Sequence, residues 1–103
     1  PVRIVPMIET PAALPRMAEI ARASPLVAGL LIGAEDLAME CNAASDDDLI
    51  VLAKRQMVLA AYAAGVAPFG TLGTVADYRD PERVRALVAR SKRSGLLGAT
   101  CIH

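Results

Sequence analysis

The run Val27-Ala28-Gly29-Leu30-Leu31-Ile32 has no polar side chain, breaks at Gly33 and is followed at once by the carboxylates Glu35 and Asp36. A short strand that is apolar throughout, rather than at alternate positions, is covered on both faces, as strands of parallel sheets are. An acid just past the C-terminal end of such a strand stands where open α/β sheets and α/β barrels keep their chemistry. The same carboxylates also suit the first turn of a helix, where negative charge is favoured. The rest of the chain has to separate a cap from a site.

Val2 to Ile8 reads as a strand interrupted by Arg3 and Pro6 and closed by Glu9. Proline lacks the N–H that a central strand needs, so a bulge or irregular pairing is expected at Pro6. Thr10-Pro11 has the form of a helix start, an N-cap followed by proline at the first helical position. Leu14, Met17, Ala18 and Ala21 make the inward stripe, Pro15 disturbs the first turns, and Ser24-Pro25 closes the helix. Beyond Gly33 a short helix or turn runs to Met39, and Cys41 to Ser45 reads as loop. Ser45 with Asp46, Asp47 and Asp48 then caps a long helix whose expected buried face is Leu49, Ala53, Met57, Ala60 and Ala64, with Gly65 as its stop.

A third strand is expected at about Ala67 to Thr71, ahead of the turn-prone Leu72-Gly73-Thr74. Asp80-Pro81 opens another helix, with Val84, Leu87 and Val88 inward and basic residues gathered toward the end that Gly95 terminates. The last strand spans about Gly98 to Ile102. Strands alternating with amphipathic helices imply right-handed crossovers and a parallel sheet. No Gly-x-Gly-x-x-Gly follows any strand, so a dinucleotide site is poorly supported, and half of an eight-stranded α/β barrel is expected. The chain has no initiator Met, opens on one strand and stops on another, which is the form expected of a piece of a longer chain.

Eleven basic and eleven acidic residues give a formal net charge of zero without a basic cluster, so the chain carries no electrostatic footprint for nucleic acid or a membrane surface. No apolar run approaches the roughly 20 residues that span a bilayer, and no signal peptide is visible. Cys41 and Cys101 lack the spacing of a zinc site or a disulfide framework, and a cytoplasmic location is expected. Three aromatics, Tyr62, Phe69 and Tyr78, make no base-stacking surface.

Glu9 ends the first strand and Asp36 follows the second. If those strands are neighbours their backbones lie about 4.8 Å apart, and the two carboxylates project over one spot. Like charges that close require a shared proton or a cation between them. Mg²⁺ fits the second case, because it takes one or two protein carboxylates and leaves its other positions to water and substrate oxygens. Structural acids and a general acid/base pair fit the residues as well. The only lysines, Lys54 and Lys92, fall within expected helices on the outside of the barrel, so no Schiff-base lysine is expected here and metal-assisted chemistry is favoured. His103 ends a strand on the same face, where it is a substrate contact or simply a rim histidine. Thr10 and Thr71 read as caps or rim hydrogen-bonders, Asp77 and Asp80 as turn and cap residues.

Ile8-Glu9-Thr10-Pro11, Gly33-Ala34-Glu35-Asp36-Leu37, Gly73-Thr74-Val75-Ala76-Asp77-Tyr78-Arg79-Asp80 and Gly95-Leu96-Leu97-Gly98-Ala99-Thr100-Cys101-Ile102-His103 together resemble the HpcH/HpaI aldolase and citrate lyase β-subunit family. The spacing is similar to the citryl-CoA lyase-like branch more than to the hydroxy-acid aldolase branch. The resemblance implies the last four strands of a (β/α)8 barrel of the phosphoenolpyruvate/pyruvate type. It also implies a carbon–carbon lyase that uses Mg²⁺, or Mn²⁺ in its place, with Glu9 and Asp36 as metal ligands and catalytic residues. Ala34, Glu35 and Asp36 would bind substrate, their backbone amides donating to its carboxylate. The expected substrate is a 3-hydroxyacyl-CoA of the citryl-CoA or malyl-CoA type, cleaved to a short acyl-CoA and a 2-oxo acid. A class II aldolase acting on a 2-oxo-4-hydroxy acid and a non-catalytic paralogue are the alternatives. The family's substrate-binding arginine comes from an earlier strand, outside this sequence, and the resemblance implies a homo-oligomer, a trimer or hexamer.

Overall fold

The computed structural model describes residues 2–73 and 79–98. Its centre is a parallel sheet of three strands in sequential order: β1 (Met7–Ile8), β2 (Gly29–Ile32) and β3 (Ala67–Phe69). A further parallel bridge joins Phe69 to Gly98, where the fourth strand was expected to begin. The rest of that strand, with Cys101 and His103, lies outside the described residues, as does Asp77.

The irregularity expected at Pro6 is present. Ile4 pairs with Val27 whereas Met7 pairs with Leu31, so the second strand contains one residue more than the first over this stretch. Pro6 contributes only its carbonyl, which accepts from the Leu31 N–H at 3.1 Å. The ordered ladder is therefore shorter than the apolar run that announced it.

Thr10 caps the following turn, its Oγ1 accepting from the Ala13 N–H at 3.3 Å. Pro15 keeps the first six residues, Pro11–Arg16, in a 3-10 helix, and only Met17–Ala21 (α1) is α-helical. α2 (Ala34–Glu40) starts directly after Gly33, and α3 (Asp48–Ala64) starts after Asp47. The cap of α3 is Asp47, whose carboxylate accepts from the Leu49 N–H at 2.9 Å, and not Ser45. Gly65, at φ 74°, ends α3 in the left-handed conformation that favours glycine. Asp80 caps α4 (Pro81–Arg93) through the Glu82 and Arg83 N–H groups.

Ile8, Leu30, Ile32 and Pro68 turn toward the helices and are buried, while α1 and α3 pack on each other and both on β2. Sequential strand order with helices on one face is the arrangement of a barrel wall; a doubly wound sheet reverses its order at a switch point. Register aligns Met7, Leu31 and Phe69 in a row across the sheet. They alternate with the helix-facing residues, so the row lies on the opposite face.

Two expected helix faces hold in part: Ala53 and Met57 of α3 are buried as expected, and Val84 and Leu87 of α4 are half-buried. Leu49 is largely exposed, and the buried side of α3 is Ile50, Ala53, Lys54, Met57, Val58 and Ala61. In α4 Val88 points out and Ser91 is buried; its hydroxyl donates to the Leu87 carbonyl at 2.7 Å and accepts from the Leu72 N–H at 2.9 Å. Lys54, expected outside, is only 8% exposed. Among the described residues no helix is long and apolar enough to cross a membrane.

Candidate active site

The pairing of β1 with β2 is in register to the end of both strands, Ile8 opposite Ile32, and the Gly33 N–H donates to the Ile8 carbonyl at 2.8 Å. The residues after those positions, Glu9 on one side and the first turn of α2 on the other, therefore leave the sheet together. Glu9 then folds over Gly33: a Cβ built at Gly33 would lie 2.6 Å from the Glu9 Cγ and 3.1 Å from the Met7 Sδ. Real Cβ atoms do not approach that closely, so the glycine is what lets the Glu9 side chain lie against the start of α2.

Glu9, Thr10, Asp36, Met39 and Glu40 line an open cleft of about 430 Å³ at this edge. Glu9 and Asp36 thus share one cavity. Ala34 and Glu35 begin the same helix without forming its walls, although no side chain caps the first-turn N–H groups to which they belong. Met39 and Glu40 were not singled out from the sequence. The signal was there, because residues three and four positions after Asp36 share its face once the segment is helical.

The donor set suits a hard divalent cation of Mg²⁺ type. Two carboxylates reach one cleft from separate elements, and the cleft is open enough to leave room for water and substrate oxygens. Among the described residues no group of three or more His, Cys, Asp or Glu side chains is arranged to enclose a metal. A metal here would have two protein ligands from these residues and an open remainder, the form of a catalytic rather than a structural site.

Lys54 does not line the cleft. Its Nζ donates to the Gly73 carbonyl at 3.4 Å, and the Thr71 hydroxyl donates to the same oxygen at 2.7 Å. Burial pushes its ammonium below the usual lysine range, and the negative charge of Glu35 opposes that shift. Lys92 is exposed, and neither lysine lines the cleft.

The sequence profile of HpcH/HpaI aldolase/citrate lyase matches residues 1–103. No curated protein sequence matches the chain. Among solved structures, RipC from Yersinia pestis superposes with a TM-score of 0.82 at 28% identity, over 98% of this chain and 46% of that one. The citrate lyase β subunit from M. tuberculosis, complexed with oxaloacetate and magnesium, superposes with a TM-score of 0.83 at 25% identity, over 100% of this chain and 48% of that one. Macrophomate synthase, at 22% identity and a TM-score of 0.66, shares the fold. The chain spans about half the length of the first two of these proteins. The parallel wall, its one-sided helices and these superpositions make it part of a TIM-barrel-type domain. With the profile match running over every residue, the chain belongs to the HpcH/HpaI aldolase/citrate lyase family.

Proposed function

We propose that the protein containing this chain is a Mg²⁺-dependent carbon–carbon lyase that cleaves a 3-hydroxyacyl-CoA of the citryl-CoA or malyl-CoA type to a short acyl-CoA and a 2-oxo acid. The observation that carries this reading is the meeting of Glu9 and Asp36 in one cleft at the ends of adjacent parallel strands. The oxaloacetate and magnesium bound to the M. tuberculosis citrate lyase β subunit support both the metal and a 2-oxo acid product.

In this reading Glu9 and Asp36 hold the cation, fixed by the β1–β2 register on one side and by the first turn of α2 on the other. The bound ion would supply a Lewis acid to the oxygen on the carbon that becomes the 2-oxo carbon. The uncapped N–H groups of Ala34, Glu35 and Asp36 receive the substrate carboxylate, which orients the scissile bond over the cleft. On cleavage the 3-hydroxyl loses its proton, the carbon–carbon bond breaks, and its electron pair enters the thioester as an enolate. Protonation of that carbon completes the short acyl-CoA. Manganese fits the same two carboxylates. The protein is proposed to act in the cytoplasm as a homo-oligomer.

The family also contains aldolases, and a class II aldolase splitting a 2-oxo-4-hydroxy acid would use the same two carboxylates. CoA dependence separates the two. The test uses the full-length protein with citryl-CoA, malyl-CoA and a free 2-oxo-4-hydroxy acid, each with Mg²⁺ and with chelator. Glu9→Gln and Asp36→Asn are expected to lower turnover of the preferred thioester by at least about 100-fold, as ligand loss does more than the 10–100-fold of supporting residues. Cleavage of the free acid alone would replace the lyase by the aldolase. Cleavage indifferent to chelator and to both substitutions would overturn the metal site, and no cleavage of any substrate would favour a non-catalytic paralogue.

A further inference from the structure

Glu9, Asp36 and Glu40 all line the cleft, and a divalent cation offsets only two of these carboxylates. Glu40 closes α2 one turn after Asp36, a spacing that places both side chains on one helix face with Cβ atoms about 5–6 Å apart. It is exposed, and among the described residues it makes neither an ion pair nor a hydrogen bond. Helix stability does not account for it. The last turn of α2 holds no basic residue, and a negative side chain there meets the negative end of the helix. Its charge is therefore open to whatever occupies the cleft. Thr10 and Met39, the other lining side chains, are uncharged, and among the described residues no lysine or arginine lines the cleft. With a cation on Glu9 and Asp36, Glu40 leaves the occupied cleft negative.

We infer that Glu40 is a specificity-determining residue: its unpaired charge makes the cleft select a substrate with one carboxylate on the hydroxyl-bearing carbon and none beyond it. The two proposed thioesters share the CoA arm, the 3-hydroxyl and the carboxylate beside it. They differ at one substituent, because the hydroxyl-bearing carbon carries hydrogen in malyl-CoA and a carboxymethyl group in citryl-CoA. A second carboxylate would meet Glu40 with no cation left to offset it, and like charges brought together in a site select against that partner. Met39, 71% exposed on the rim beside Glu40, gives a neutral substituent an apolar wall and a carboxylate no donor. Glu40 thus favours the malyl-CoA type over the citryl-CoA type. This rests on the proposed cation site and narrows the substrate class of that site.

The experiment uses the full-length protein at saturating Mn²⁺, with Glu40→Gln to remove the charge at constant size and Glu40→Asp to keep it. Glu40 is exposed, so neither change puts folding at risk. Two readouts run together: kcat/KM for malyl-CoA against citryl-CoA, and binding of 2-hydroxybutyrate against malate. The second pair is chemically stable and exchanges a methyl group for a carboxylate. The unmodified protein is expected to favour malyl-CoA by at least about tenfold, within the range for like charges a few ångströms apart in a partly solvated site. Glu40→Gln is expected to reduce that preference about tenfold and to improve malate relative to 2-hydroxybutyrate by the same factor, whereas Glu40→Asp retains both preferences. Salt at about 1 M is expected to narrow the malate difference in the unmodified protein more than in Glu40→Gln. Unchanged ratios in Glu40→Gln, or an unmodified protein that prefers citryl-CoA and malate, would overturn the inference and leave the proposed lyase standing. If the protein binds Mn²⁺ but cleaves neither thioester, the proposed lyase fails, and the malate ratio alone still decides the role of Glu40. If it binds no Mn²⁺, the two readings fall together.

Discussion

At Gly33 the backbone has φ −83°, which any residue adopts, so the missing side chain answers to a neighbour and not to the turn. That neighbour is Glu9, whose Cγ would lie 2.6 Å from an added Cβ. Gly33→Ala is therefore expected to push the Glu9 carboxylate off the start of α2 while costing about 1–3 kcal/mol of stability, the usual price of overpacking. Turnover of the preferred thioester by the full-length variant should fall at least about tenfold, and Mn²⁺ titration should show weaker binding; wild-type values in both would mean that Glu9 need not lie against Gly33. Glu9 and Asp36 were legible because strand ends are legible: an apolar run stops and an acid follows. Lys54 was not, since a lysine in a long helix reads as a solvated face. Only the tertiary approach of Gly73 gives its ammonium somewhere to go while its stem is buried.

The same limit governs whole elements. α3 carries large apolar residues around most of its circumference, and Leu49, Leu52 and Leu59 are exposed while Ile50, Met57 and Val58 are buried. Apolar residues that occur on every side do not set a phase, which is why a stripe drawn at spacings of four and three begins on the exposed Leu49 and misses Ile50, although it shares Ala53 and Met57 with the buried face. The start of the helix was also spread over four candidate residues, Ser45 to Asp48, any of which offers a capping oxygen. The structure selects Asp47, whose carboxylate meets the Leu49 N–H, and leaves Asp48 as the first helical residue. Asp47→Ala is expected to cost about 1 kcal/mol by denaturant titration of the full-length protein, and Asp46→Ala no more than about 0.5 kcal/mol. Equal costs would mean that the cap is shared along the acidic run. By contrast Thr10-Pro11 and Asp80-Pro81 each left a single capping oxygen beside a proline, and both caps fall where the pattern placed them.

For the molecule as a whole, alternation of strands and helices indicated a parallel wall, and the row Met7, Leu31 and Phe69 marks the face of that wall opposite α1 and α3. The row faces away from α1 and α3, and Met7 remains 52% exposed. Beside it, Val2, Ile4 and Val5 are also exposed along the outer strand, whose far edge no described residue pairs. Large apolar residues collected on one face and one edge are what a barrel wall presents before it closes, since barrel interiors are filled by inward side chains from every strand. The related solved structures are about twice this length, which is enough chain to supply the rest of such a barrel. Met7→Ala discriminates the open wall from the closed one. A half-exposed methionine costs little on truncation, within about 0.5 kcal/mol at a surface, whereas the same change in a filled interior costs about 2–5 kcal/mol. In the full-length protein Met7→Ala is expected to lower the unfolding free energy by 2 kcal/mol or more on that scale, measured by chemical denaturation. A loss near the surface value would mean that nothing covers this row. The cleft at Glu9 and Asp36 would then be bounded by these residues alone, and a substrate held there would stay open to water on its inner side.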